Sequence, residues 1–108
     1  MSKTHISTFE ELKDYLRKDS VMLFKHSATC PVSADAYEQF NEFADSHPDF
    51  PSVYLVVQED RALSTEVAEA FHVKHESPQA ILFRDGNVAW HASHWNITKA
   101  AIEKALEE

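Results

Sequence analysis

One residue of this chain can serve as a soft nucleophile, Cys30, the only cysteine among 108 residues. It lies in Ser27-Ala28-Thr29-Cys30-Pro31-Val32-Ser33, where the apolar run Val21-Met22-Leu23-Phe24 gives way to a helical pattern beginning at Pro31. Proline suits the first helical position because its φ is fixed and its missing N–H would be unpaired there anyway. Cys30 is then the N-cap, and its sulfur is expected over the free N–H groups of Val32 and Ser33, at the positive end of the helix dipole. A thiolate is stabilised there, which makes the nucleophilic form available near neutral pH. A lone cysteine can also be a small buried hydrophobe. The order strand, Cys-Pro, helix favours the reactive reading.

The elements that must hold this junction follow from periodicity. Thr4-His5-Ile6 is a short candidate edge strand, and Ser7-Thr8-Phe9-Glu10 reads as a capping box between Ser7 and Glu10. Phe9, Leu12 and Leu16 then fall on one helical face through about Arg17. Val21 to His26 is a strand whose near-continuous apolar start implies burial on both sides. From Pro31 to about Asp45, Ala36, Tyr37, Phe40, Phe43 and Ala44 recur at helical spacing, until the prolines of His47-Pro48-Asp49-Phe50-Pro51 stop the pattern. Ser52 to Gln58 is a second buried strand, parallel to the first across the intervening helix. A helix over Leu63 to Val73 ends before Pro78. Gln79 to Arg84, the turn residues Asp85-Gly86-Asn87, and Val88 to Ser93 form a hairpin. Asn96 is the expected N-cap of a closing helix through Ile97, Ala101, Ile102, Ala105 and Leu106. The fold class is α/β, a central mixed sheet flanked by helices, with a βαβ unit followed by a hairpin and a C-terminal helix.

Composition limits the rest. A length of 108 residues with 44% hydrophobic and 26% charged residues fits one globular domain, 1–108. A net charge of −8 opposes binding to nucleic acid or to an anionic membrane. No apolar run approaches the roughly 20 residues of a membrane helix, and no signal segment is evident, so a cytoplasmic location is expected. An unpaired thiol agrees with a reducing compartment. The single glycine, Gly86, leaves nothing for a phosphate-cradling loop. Seven histidines invite a metal reading. His72 and His75 flank a helix end, however, and His91 and His94 would face opposite sides of an extended strand, so no metal site is expected. His75 lies three residues before Pro78 and could approach the sulfur, although surface histidine is the plainer reading. Trp90 and Trp95 are expected in the core rather than on a binding surface. Glu103, Glu107 and Glu108 read as a solvated helix end without partner charges.

The order of elements, with a cysteine at the first βα junction and Ser77-Pro78 just before the hairpin, resembles the thioredoxin fold, in which a cis-proline faces the reactive cysteine. Thioredoxins carry a second cysteine three residues after the first, where this chain has Ser33. The segments Thr29-Cys30-Pro31-Val32-Ser33 and His75-Glu76-Ser77-Pro78-Gln79 are similar to those of the monothiol bacilliredoxins, general-stress proteins of bacteria that use bacillithiol in place of glutathione. The resemblance implies that Cys30 removes bacillithiol from mixed disulfides on client proteins. Ser33 then assists, and Thr29, Pro31, Val32, Ser77 and Pro78 contact the substrate. It also implies bacillithiol as the thiol co-substrate with no other cofactor, bacillithiolated proteins as partners, and a monomer. Phe24 stands where thioredoxins place a buried acid, so no carboxylate is expected to move protons beneath the sulfur.

The residues support a one-thiol mechanism on their own account. A serine hydroxyl ionises far above a thiol and cannot displace a disulfide, so a captured thiol must leave by attack from an external one. Ser33 is expected to donate a hydrogen bond to the Cys30 thiolate; its other reading is a first-turn helix residue without chemistry. Two functions from other classes stand beside the oxidoreductase. One is a carrier like the monothiol glutaredoxins, with an iron–sulfur cluster held between two chains, against which the Gly-Phe pair of those proteins is absent between Cys30 and Ser33. The other is a redox-inert binding module with a structural Cys30.

Overall fold

Side chains along a strand point alternately to its two faces, and in the strand Ser20–His26 both faces are covered. The computed structural model describes residues 3–108. Its sheet has the order β1-β3-β2-β4-β5, with β1 Thr4–His5, β2 Ser20–His26, β3 Ser52–Val56, β4 Gln79–Arg84 and β5 Asn87–Ser93. The helices are α1 Phe9–Leu16, α2 Pro31–Ser46, α3 Arg61–Phe71 and α4 Lys99–Glu107. The strands β1, β3 and β2 run parallel, and β4 and β5 are antiparallel additions. This is the expected mixed sheet, with the βαβ unit at β2-α2-β3.

Two cores follow from the alternation. Val21 and Leu23 of β2 pack with Leu12 of α1 and with Leu63 and Val67 of α3. Met22 and Phe24 pack on the other face with Ala36, Phe40 and Phe43 of α2 and Ile102 and Ala105 of α4. Phe24 stacks on Phe40 at 5.1 Å between ring centroids. Burying a side chain of this size stabilises by about 1.5–3 kcal/mol, so α2 is held to the sheet mainly by its aromatic stripe. The hairpin turns through Asp85 and Gly86, both at positive φ (55° and 79°), as a two-residue turn matched to strand twist requires.

Several boundaries differ from expectation for physical reasons. The cap of α1 is Thr8 rather than Ser7: its hydroxyl accepts from Glu11 N–H at 3.2 Å, and the Glu11 carboxylate takes the Thr8 and Ser7 N–H groups at 3.1 and 2.9 Å. The motif fits either of two registers one residue apart, and this one buries Leu12 completely. The last helix is capped by Thr98, which accepts from Ala101 N–H at 3.0 Å, and Asn96 instead ends a 3-10 turn, His94–Asn96. His94 adopts φ 53° and so lies outside β5. The turn swings Trp95 outward, 68% exposed, while Ile97 takes the core position; Trp90 packs half-buried on the α2–α4 core as expected. Glu103 has a partner after all, His47 at the end of α2, whose Nε2 lies 2.8 Å from its carboxylate. No described helix is long and apolar enough to cross a membrane.

The register of the first cap is testable by urea unfolding. Thr8→Ala should lower stability by about 1 kcal/mol, and Glu10→Gln should change it by no more than about 0.5 kcal/mol. The opposite ranking would return the cap to Ser7 and Glu10.

Candidate active site

The β2–α2 junction places Cys30 at the N-cap of α2, in extended conformation with φ −104° and ψ 120° and with Pro31 as the first helical residue. The position is the expected one, but the sulfur accepts no capping hydrogen bond from the first turn. A neutral thiol is a weak acceptor, and those N–H groups attract it strongly only as an anion. Cys30 is half-buried, Thr29 and Pro31 beside it are exposed, and Val32 is half-buried.

Ser33 departs most from expectation. It is fully buried, and its hydroxyl is turned back to the strand rather than to the sulfur. Oγ accepts from Ser27 N–H at 2.8 Å and lies 2.9 Å from His26 Nδ1. The buried end of β2 needs a partner for that N–H, and the third residue of the helix supplies it. The loop is braced from its other side by Gln58, which follows β3. Its side-chain carbonyl accepts from Ala28 N–H at 3.0 Å, and its amide donates to Ser27 Oγ at 2.9 Å and Thr29 Oγ1 at 3.4 Å. The Cys30 N–H closes the loop onto Ser27 O at 3.4 Å.

The second segment of the site comes from β4. Lys25 pairs with Gln79 across β2 and β4, so Pro78 lies one step further along, level with His26. The Ser77–Pro78 peptide is cis, Pro78 is buried and Ser77 half-buried, and Pro78 O accepts from His94 N–H at 3.1 Å. The strand ladder thus carries the Ser77-Pro78 edge to the end of the strand that leads into Cys30.

Three residues at this end of the sheet escaped the sequence reading: Lys25, His26 and Gln58. The first two were legible in principle, because alternation along β2 sends them to opposite faces. His26 stacks on Tyr37 of α2 at 4.4 Å, and burial holds its pKa below the ordinary value. Lys25 is fully buried on the other face, with Nζ 3.3 Å from Ser64 O and 3.3 Å from His75 Nδ1. Burial lowers its amine from 10.5 to about 8. Burial and then the neighbouring Lys25 charge lower His75. An ammonium only donates, so opposite a charged Lys25 the Nδ1 atom accepts, and Ser64 Oγ lies 3.1 Å from the same atom. His75 therefore serves Lys25 and Ser64. Phe24 is buried in the α2-side core, stacked on Phe40. The buried acid Asp60 is committed elsewhere, to Val56 N–H and His5 Nε2 at 2.8 Å each. Among the described residues no three His, Cys, Asp or Glu side chains converge as metal ligands.

The chain can be compared with known proteins on this basis. The family described as monothiol bacilliredoxin BrxC matches it over residues 4–102. A solved structure of a candidate oxidoreductase with a thioredoxin fold is 38% identical with a TM-score of 0.92, covering 99% of this chain and 95% of its own. A mutant thioredoxin from Halobacterium salinarum NRC-1 is 18% identical, TM-score 0.78, covering 98% of this chain and 88% of its own. Oxidised mitochondrial thioredoxin 3 from Saccharomyces cerevisiae is 18% identical, TM-score 0.76, covering 98% and 94%. These last two share the fold.

The buried lysine gives a stability prediction with a definite sign. Between about 8 and 10.5, the folded and ordinary values of its pKa, the unfolded chain binds more protons, so this group's contribution raises stability as pH increases through that window. Below it the full cost of a buried ammonium is present. Lys25→Met should be more stable than wild type at pH 7 by roughly 1–3 kcal/mol. The gap should shrink by pH 10 in urea titrations. A variant that is less stable by the same amount at both pH values would show that the lysine contributes packing alone.

Proposed function

This chain belongs to the monothiol bacilliredoxin family, and we propose that within it Cys30 removes bacillithiol from mixed disulfides on client proteins. The observation that carries the reading is a single thiol at the N-cap of α2 with a buried, hydrogen-bonded serine where a resolving cysteine would stand. The thioredoxin fold and the family support thiol–disulfide oxidoreductase chemistry. Bacillithiol as the substrate thiol is the finer proposal.

The exchange balances without an outside oxidant. The Cys30 thiolate attacks the bacillithiol sulfur of the client's mixed disulfide, the old S–S bond breaks as the new one forms, and the client cysteine leaves as a thiolate that takes a proton from water. A second low-molecular-weight thiolate then attacks the Cys30 adduct, leaves as the mixed disulfide with bacillithiol, and restores Cys30. The helix dipole stabilises the Cys30 anion before the first attack and again as the leaving group of the second. Thr29, Pro31 and Val32 on one side and the Ser77-Pro78 edge on the other are proposed as the substrate contacts. Asp60 is committed to Val56 N–H and His5, which agrees with proton exchange through solvent. Bacillithiol is the only small molecule required, bacillithiolated proteins are the partners, and the acting unit is a cytoplasmic monomer.

Intact mass after mixing with a bacillithiolated client tests this reading. Wild type should gain one bacillithiol and release the reduced client, and Cys30→Ser should gain nothing. Absence of uptake by wild type would remove the reading. Equal uptake from a glutathionylated client would reduce it to a general monothiol oxidoreductase.

A further inference from the structure

We infer that His26 is a positioning residue for Cys30 that acts through Ser33: the charge on the imidazole decides whether the one hydroxyl hydrogen of Ser33 is committed to His26 or free to turn toward the sulfur. The inference rests on the reading of Cys30 as the exchange nucleophile and assigns a residue that controls it.

A serine hydroxyl has one hydrogen and two lone pairs. The Ser27 N–H occupies one lone pair at 2.8 Å. With a neutral imidazole accepting at Nδ1, 2.9 Å away, the hydrogen goes to His26 and nothing is left to donate to Cys30. In the structure Oγ is bonded to Ser27 and His26 and not to the sulfur. A protonated imidazole donates at both nitrogens. Its Nδ1–H then fills the second lone pair of Oγ and releases the hydroxyl hydrogen. Cys30 and Ser33 stand three residues apart at one helix end, with Cβ atoms at about 5–6 Å on helical spacing. The released O–H is then within reach of a thiolate, and a hydrogen bond to the charged form favours that form.

The surroundings of the ring set which of its two states prevails. It lies against Tyr37 at 4.4 Å and near Phe24 at 6.1 Å, so desolvation favours the neutral form and acidification produces the imidazolium. Tyr37, pushed up to about 12 by burial, does not titrate in this range. Tyr54 of β3 packs edge-on behind Tyr37 at 5.7 Å, and the Lys3 ammonium sits over the Tyr37 ring at 5.4 Å. From β2's other neighbour the nearest position is Pro78, which carries no charge. By linkage, an imidazolium that favours the thiolate is itself favoured by the thiolate, so the two groups ionise as a coupled pair.

Alkylation of Cys30 by iodoacetamide at pH 5 and pH 9 tests the inference, because it reads the thiolate without bacillithiol. A failure here would leave the mass experiment on bacillithiolated clients unaffected, and the converse also holds. The variants are His26→Asn, which keeps a polar group near the Nδ1 position but does not titrate, and Ser33→Ala. At pH 5 both should react roughly tenfold more slowly than wild type, the equivalent of one pKa unit. At pH 9, where His26 is neutral in wild type, His26→Asn should match wild type, and the loss in Ser33→Ala should be smaller than at pH 5. Equal rates at pH 5 would overturn the inference, and so would a loss of the same size at both pH values, which marks a purely structural role. Should Ser33→Ala not fold, His26→Asn decides the matter alone.

Discussion

The hydrogen bond from Ser27 N–H to Ser33 Oγ, 2.8 Å long and buried, is the constraint on which the site depends. A strand entering a helix through a short turn leaves backbone groups without ladder partners, and orphaning a buried N–H costs about 1–3 kcal/mol. The hydroxyl at position 33 meets that need and fixes where the helix begins. Gln58 ties Ala28 and Thr29 from the opposite side, so the loop that carries Cys30 is bonded on both flanks. Ser33 therefore has a role beyond the absence of a second thiol. It joins the two elements whose ends form the site, and a sulfur in its place would make a poorer acceptor for the same N–H.

The alternation of β2 then distributes the titratable groups. Met22 and Phe24 continue into His26 on the α2 face, and Val21 and Leu23 continue into Lys25 on the α3 face. Each polar residue extends an apolar row, so each arrives desolvated. Their basicity drops for the same reason, although only His26 touches the first turn of α2. Lys25 is instead tied to Ser64 and His75, and Gln79, its cross-strand neighbour, donates to Lys74 O at 3.0 Å. This cluster anchors the segment that runs into Ser77 and Pro78.

Much of this could be read from residue order. The apolar runs located β2, β3 and β4, Cys30-Pro31 located the start of α2, and Asp85-Gly86 located the hairpin, because each is a local signal with one strong physical solution. Boundaries set by competing polar residues were less legible. Ser7 and Thr8 each offer a hydroxyl with an acid three residues on, Asn96 and Thr98 both offer a capping side chain ahead of α4, and tertiary burial of Leu12 and Ile97 selects among them. The direction of the Ser33 hydroxyl was not legible at all, since it depends on where Ser27 N–H and His26 converge in three dimensions. The pairing of His47 with Glu103, 56 residues apart, is of the same kind.

The central claim is that a single helix-capping thiol does the exchange and that no group of this chain can complete it internally. The lifetime of the isolated Cys30–bacillithiol adduct measures this directly. In wild type the adduct should persist in thiol-free buffer and disappear at a rate proportional to added small thiol, whereas in Ser33→Cys it should be lost without any addition as an internal disulfide forms. Spontaneous loss of the wild-type adduct, at a rate independent of external thiol, would contradict the account.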